Sequence, residues 1–351
     1  MTLEHLAPHR RFIERHIAPR FRSMNSYDQW PGHRGGLMAG ARERGMTVSE
    51  HGKTAMFFRD GRLVGGLNRF APSLTGGLAE RICLSKTLTK VALREVGAPI
   101  PQGVFVTVKQ LGAALEHQRA VGFRPLVLKP SDGNAGRGVT TNITTEKQLR
   151  TAWAVARKET VNGRLILEDH VSGVDLRTYV VDGELIGAAV RVPAHVVGDG
   201  TSEVSALVAQ LTIMRASHAY LRSKKLVVDD VVLTAQGLGR DAVPQEGDVV
   251  LLNAEPYLGV GGVNVDVTAE LHEDLATLSV ETAASIPGLH AVGLDLMVPD
   301  VTSGEGAFIT ELNSRANLSM NQWPAYGEGR PVTGRILDAM ERLGARDWAG
   351  A

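Results

Sequence analysis

The stretch from Leu289 to Asn313 places the tightest constraint on what this chain folds into. LHAVGLDLMV and GAFITELN read as strands, and the turn-rich segment Pro299 to Gly306 between them predicts a hairpin. Residue 303 lies midway between Asp295 and Glu311, so a simple hairpin centred there sets the two carboxylates opposite one another, with Cβ atoms about 4.5–5.5 Å apart. Carboxylates that close repel unless a cation or a proton sits between them. A magnesium ion, which takes a few carboxylate oxygens and keeps several waters, resolves the repulsion. Period-2 alternation adds Asn313 to the face of Glu311 and turns Leu294, Leu296 and Leu312 to the opposite, buried face. Solvated surface carboxylates are the plainer alternative; three oxygen donors on one face favour a metal.

Upstream, the pattern alternates helices with many short hairpins, which predicts a largely antiparallel α+β fold rather than a doubly wound parallel sheet. GLMAGARERG (Gly36 to Gly45) reads as a helix, followed by a strand pair in TAMFFRDGRLVGGLN with Asp60-Gly61 as its turn. A helix begins just after Ser85 in SKTLTKVALREVG and ends at Gly97 before Pro99 and Pro101. PLVLKPSDGNAGRGVTTNIT is a strand-loop-strand unit; TEKQLRTAWAVARKE is a helix; RLILEDHV is a strand; RTYVVDGELIGAAVRV is a strand pair joined at Asp182-Gly183. Three units are expected: 1–83, a small α/β lobe; 84–175; and 176–351, with a mixed insertion at 201–250 and a helix at 270–286.

A chain of 351 residues exceeds the roughly 250–300 at which single cores stop growing, so a cleft between lobes is expected. Basic and acidic residues balance at 38 each, which gives no field favouring nucleic acid or an anionic membrane; a small-molecule partner is the default. Charges interrupt every apolar stretch of MTLEHLAPHRRFIERHIAPRF, and no window approaches the ~20 apolar residues of a membrane span. The chain reads as soluble and cytoplasmic. Cys83 is the sole cysteine, so neither a disulfide framework nor a cysteine-based zinc site is available, and a small buried hydrophobe is the preferred reading of it.

The loop Asp132-Gly-Asn-Ala-Gly-Arg-Gly138 sits between two strands, where bare backbone N–H groups can cradle phosphate oxygens. Lys129 precedes the glycines, so this is not a Walker loop; taken alone, the segment is equally an ordinary hairpin. In LILEDHVSGVDLR, a strand end at Glu168 followed by Asp175 suits an adenosine, the backbone reading the base and the carboxylate the ribose. Arg177 and Arg191 suit a phosphate or carboxylate clamp, and equally a solvated strand face.

Read in order, SKTLTKVALREVGAPIPQG, VLKPSDGNAGRGV, ILEDHVSGVDLR, RVPAHVVGDG, GGVNVDVT, GLDLMVPD and TELN resemble the ATP-grasp domain of cyanophycin synthetases and of bifunctional glutathione synthetases, over about Leu84 to Gly334. The resemblance implies an ATP-grasp fold, two α/β lobes gripping ATP. It implies that Lys86 and Lys129 contact the ATP phosphates, that Gly133, Asn134, Ala135, Gly136, Arg137 and Gly138 fold over them, that Glu168, Asp169 and Val171 line the adenine pocket, and that Asp175 holds the ribose. Asp295, Glu311 and Asn313 match ligands of Mg²⁺ or Mn²⁺. Lys129, Arg177 and Arg191 are the expected catalytic cations, and His195 matches a position near the reacting carboxylate, though it is equally a structural residue.

The implied activity is ADP-forming ligation of a carboxylate to an amine, with amino acids as substrates, in specialised-metabolite biosynthesis. Alternatives are a glutathione-synthetase-like ligase acting on a γ-glutamyl peptide and a nucleotide-binding regulatory protein without turnover. The pattern departs from the family at LLNAEPYLGVGG, where relatives carry arginine and asparagine before the paired glycines, and at Asn313-Ser-Arg-Ala-Asn317. The substrate pocket is therefore expected to differ, with His195, Tyr257, Gly261, Gly262 and Arg315 as its candidate residues. Related ligases are often homo-oligomers.

Overall fold

The computed structural model describes residues 3–133 and 136–344. The chain opens with α1 (Ala7–His16) and α2 (Gly32–Glu43), then a meander of β1 (Thr47–His51), β2 (Thr54–Arg59), β3 (Arg62–Asn68) and β4 (Ala71–Pro72), in that spatial order. Helix α2 starts after Pro31, four residues before the expected Gly36, and closes on Gly45 at φ 76°. Gly45 N–H donates to Arg42 O and Met46 N–H to Ala41 O, a left-handed cap that only glycine adopts without strain. The β2–β3 turn has both Asp60 and Gly61 at positive φ, 51° and 78°, the twist that suits a two-residue hairpin.

After α3 (Gly77–Cys83), α4 (Lys86–Glu95) begins where Ser85 accepts from Leu88 N–H at 3.3 Å. It ends on Gly97 at φ 73° with Ala98 N–H donating to Leu93 O. Strands β5 (Gly103–Thr107), β6 (Leu126–Pro130), β7 (Thr140–Ile143) and β8 (Arg164–Asp169) form an antiparallel sheet of order β5-β8-β6-β7, backed by α5 (Leu111–Ala120) and α6 (Glu146–Glu159). Their core is separate: Leu126, Leu128, Leu149, Trp153, Leu165 and Leu167 close on one another, each buried aliphatic contributing ~1.5–3 kcal/mol.

The third layer is a five-stranded antiparallel sheet. It is built from β9 (Val174–Val181), β10 (Glu184–Val192), β13 (Val263–Asp266), β14 (Ala291–Val298) and β15 (Phe308–Asn313), in the order β13-β10-β9-β14-β15. Between β10 and β13 the chain leaves the sheet through β11 (His195–Val197), α7 (Val204–Ala216), α8 (Ala219–Arg222), α9 (Asp230–Ala235) and β12 (Val249–Leu251), and β11 pairs with β12. Helix α10 (Glu273–Ala284) precedes β14, and α11 (Ser319–Gln322) and α12 (Val332–Gly344) end the described chain.

Alternation along β9 positions the site. Leu176 and Val180 enter the main core with Val190, Leu294 and Leu296, while Tyr179 and Val181 on the other face pack with α12. Asp175 and Arg177 share that second face one step further along and are left for the cleft. Residues 1–83 divide between two cores. Leu6, Phe12, Ile13 and Ile17 pack with Leu176 and Val190 of the central sheet, whereas Leu37, Phe57 and Leu67 pack with Leu337 and Met340 of α12. No helix was read in this segment from the sequence; its burial comes from strands more than 150 residues away.

Candidate active site

Cross-strand register builds one wall of the site. Arg191 of β10 lies opposite Asp175 of β9, Arg177 of β9 opposite Asp295 of β14, and Asp295 opposite Glu311 of β15. Opposite charges therefore face each other from β10 to β14, and two carboxylates meet between β14 and β15. Arg177 holds Asp295 by two parallel hydrogen bonds, Nε to Oδ1 at 2.5 Å and Nη2 to Oδ2 at 2.7 Å. Arg191 Nη2 bridges Asp175 Oδ1 at 2.5 Å and Asp295 Oδ1 at 3.0 Å. Burial pushes both aspartates up; for Asp295 the guanidiniums of Arg177 and Arg191 outweigh it and hold the carboxyl below its ordinary value, whereas Asp175 stays raised. A bulge follows, with Leu296 meeting Ile309, so Thr310 is the extra residue and its hydroxyl donates to Asp295 O at 3.0 Å.

Two expectations change here. The cations that the opposed carboxylates require are already present as Arg177 and Arg191 on Asp295 and as Lys86, whose Nζ stands 3.4 Å from Glu311 Oε1. Arg177, only 4% exposed, is consumed by Asp295 and acts as its positioning partner rather than as a free phosphate clamp.

The facing wall comes from α4, β6 and β8. Lys86 Nζ also donates to Gly133 O at 2.7 Å, tying the glycine loop to the helix start. Lys129 and Lys90 both reach Glu168, at 2.7 Å to Oε1 and 2.7 Å to Oε2. Burial alone would raise the Glu168 carboxyl, but the two ammonium groups win and hold it down. Lys90 was missed in the sequence, although its place four residues after Lys86 puts both lysines on one helix face. Asp132 anchors the loop base, accepting from Val161 N–H at 3.0 Å, Asn162 N–H at 2.8 Å and the Thr160 hydroxyl at 2.9 Å.

Between the walls lies a cleft of about 650 Å³. Lys86, Lys129, Gly133, Gly136, Glu168, Asp169, Val171, Asp175, Arg177, Arg191, Asp295, Glu311 and Asn313 all line it, together with Tyr257 and Arg315. Asn134 and Ala135 lie outside the described residues. Arg137 is solvent-exposed, and neither it nor Gly138 lines the cleft; Gly138 instead allows close packing, since a Cβ there would stand 2.9 Å from Pro130 and from Glu159.

Three substrate candidates stand elsewhere. After Pro193 the chain turns off the central sheet into β11, so His195 is 3% exposed, with Nδ1 against Pro193 O at 2.8 Å, and burial lowers it to about 4. Gly261, at φ 110°, offers its carbonyl to Arg215 at 2.8 Å, and a Cβ on Gly262 would stand 2.8 Å from Val192 O. This glycine pair serves a close backbone crossing. Arg315 does line the cleft, but it donates to Glu80 Oε1 at 3.1 and 2.7 Å, so its charge is already matched. The residues missed at this end are Tyr220 and Lys224 of the insertion. The Lys224 ammonium lies 5.1 Å from the Tyr220 ring and 5.3 Å from that of Trp30, and Asn317 donates to the Tyr220 hydroxyl at 3.0 Å.

The donor set fits a hard divalent cation. Glu311 and Asn313, which carry oxygen donors, line the cleft, and Asp295 Oδ2 accepts one hydrogen bond, which leaves it a lone pair. Among the described residues no group of three or more His, Cys, Asp or Glu forms a metal cluster, so such a cation would rest on two carboxylates, an amide and its own waters or a bound anion. No helix among the described residues is long and apolar enough to cross a membrane.

No family model matches the chain. Its sequence is 32% identical over 278 residues to the cyanophycin synthetase of Synechocystis sp., covering 76% of this chain and 31% of that protein. It is 28% identical over 266 residues to the bifunctional glutathione biosynthesis protein of Pasteurella multocida, covering 72% of this chain and 34% of the relative. The chain thus spans about a third of the length of these relatives. The crystal structure of a bifunctional glutathione synthetase from Pasteurella multocida superposes with a TM-score of 0.67 at 24% identity, over 89% of this chain and 43% of that one. The chain has the ATP-grasp fold, and its sequence is similar to the portion of cyanophycin synthetase and of bifunctional glutathione synthetase that it spans.

Proposed function

We propose that this chain is an ATP-dependent ligase that activates a carboxylate as an acyl phosphate and joins it to an amine, releasing ADP and phosphate. The observation that carries this reading is the facing of two walls across one cleft: Lys86, Lys129 and the glycine loop against the strip of Asp175, Arg177, Arg191, Asp295 and Glu311.

In this reading the adenine rests against the end of β8 at Glu168, Asp169 and Val171, the ribose lies toward Asp175, and the phosphates run between Lys86, Lys129 and the loop glycines Gly133 and Gly136. A substrate carboxylate oxygen attacks the γ-phosphorus while the bond to the β-phosphate oxygen breaks, giving ADP and the acyl phosphate. The amine then attacks the acyl carbon, phosphate leaves, and the amine proton passes to solvent. Lys86, Lys129 and Arg191 are fixed cations placed where charge develops, so catalysis is electrostatic and needs no nucleophilic side chain. A magnesium or manganese ion held by Asp295, Glu311 and Asn313 would supply Lewis-acid neutralisation of the phosphates. Glu255, whose carboxylate lies about 4 Å from where a Cβ on Gly136 would stand, meets the loop from across the cleft; with the loop closed, water is kept from the acyl phosphate.

The substrates are amino acids, yielding a dipeptide or a γ-glutamyl amide in a specialised biosynthetic route. Lys224 supports an acidic group at the far end of the cleft, because ring faces rather than a carboxylate flank its ammonium. Similarity to the bifunctional glutathione protein supports a second reading, addition of an amino acid to a γ-glutamyl peptide; γ-glutamylcysteine with glycine, set against free amino-acid pairs, separates the two. Glu311→Ala and Lys129→Ala should each lower ADP formation by about 10²-fold or more. Full activity in either variant sinks the assignment.

A further inference from the structure

We propose that helix α1 forms a third wall of the nucleotide site, and that His9 is a specificity-determining contact to the sugar hydroxyls of the bound nucleotide. This inference rests on the reading of the cleft as an ATP site.

His9 is 4% exposed, and neither of its ring nitrogens has a hydrogen-bond partner in the protein. It nevertheless lines the cleft, as do Leu6, His170, Ser172, Asp175 and Arg191, and it lies close enough to Arg191 to feel its charge. Leaving a buried polar group without a partner is unfavourable, so an imidazole with two unused positions at a cleft wall is matched to something that enters the cleft. Its placement is firm, since Phe12 and Ile13 of the same helix are buried in the central core.

The chemistry selects the sugar. Burial first, then the neighbouring charges of His5 and Arg191, lower His9 to about 4, so it is a neutral imidazole at physiological pH. A neutral imidazole carries one donor and one acceptor. That pair complements a hydroxyl, which both donates and accepts, and is poorly suited to a phosphate, which accepts only. The base already has its assigned contacts at the end of β8, Asp169 to Val171, which line the same cleft. Asp175, the residue assigned to the ribose by resemblance, is bound to Arg191, which leaves the sugar hydroxyls in need of a second polar partner.

The test is calorimetric binding of ATP, 2′-deoxy-ATP and 3′-deoxy-ATP to the full chain without the other substrates, in the wild type, His9→Leu and His9→Gln. The wild type should bind one of the deoxynucleotides about tenfold more weakly than ATP, the size of one lost hydrogen bond. In His9→Leu that preference should collapse, with ATP about tenfold weaker and the same deoxynucleotide unchanged; His9→Gln, which keeps a donor and an acceptor, should recover part of it. His9→Phe gives the same comparison should the leucine chain fail to fold. Wild-type preference persisting in the apolar variant, with ATP still bound, overturns the assignment of His9. A wild type that binds none of the three nucleotides overturns the nucleotide site itself.

Discussion

Arg177 and Asp295 stand directly opposite each other on β9 and β14 and join through two parallel hydrogen bonds, although 118 residues separate them in the chain. Both are buried, at 4% and 6% exposure. Arg177→Met should therefore cost about 3–5 kcal/mol of stability, because it strips an interior carboxylate of its main partner. Adding Asp295→Leu should restore much of the loss, since an apolar pair of similar volume removes the orphaned charge. Urea denaturation of the three variants checks this; losses that simply add would contradict it.

Acid should unfold the protein through Glu168 and Asp295. Both have folded values below the ordinary carboxylate range, since burial, which would raise them, is outweighed by Lys129 and Lys90 in one case and by Arg177 and Arg191 in the other. Unfolded Glu and Asp titrate near about 4.3 and 3.9. The stability these groups contribute is full above those values and is lost as pH falls through the lower folded ones. Asp175, raised by burial ahead of the pull of Arg191, acts in the opposite sense. Denaturation at pH 7, 5 and 3.5 should show little change down to about pH 5 and a steep fall below it, shallower in Glu168→Gln. An equal slope in that variant would contradict the assignment.

The hairpin and its opposed carboxylates were legible because turn residues and alternation are local signals, and Asp295 does pair with Glu311. The bulge at Thr310 was not, since one extra residue beyond the pair leaves the alternation readable in either register. Arg177 looked like a phosphate clamp because its partner is a cross-strand neighbour that no local pattern reveals. His195 looked like a site residue by its order in the chain, whereas Pro193 turns the backbone away just before it. Lys90 carried a signal in its spacing from Lys86, but a lysine on an amphipathic helix reads first as a solvated face. The burial of α1, and with it the position of His9, depends on packing against β9 and β12.

Lys224→Met should raise KM for one substrate by about tenfold while leaving kcat within about twofold, the pattern of an interaction made equally in the ground and transition states. Arg315→Met should have the smaller effect, because Glu80 already matches its charge. Steady-state kinetics against acid and amine separately would reveal which substrate Lys224 holds; unchanged KM for both would remove it from the substrate end.

Cys83 should be inert. It is buried, and that burial pushes its thiol up to about 11 despite hydrogen bonding with Ser314. Iodoacetamide at pH 7.5 should label it slowly in the folded protein and quickly in denaturant, since the thiolate is the reacting species, and activity should survive the native treatment. Rapid native labelling with loss of activity would give the thiol a role that the proposed mechanism denies it.

ADP release from ATP and Mg²⁺, measured in the presence of every pair from an amino-acid library with the products weighed by mass spectrometry, decides whether the cleft is that of a ligase. A ligase should release ADP only with a particular pair and yield a product whose mass is that of the two substrates less one water. ATP binding without ADP release from any pair would contradict that activity and leave a nucleotide-binding protein that does not turn over.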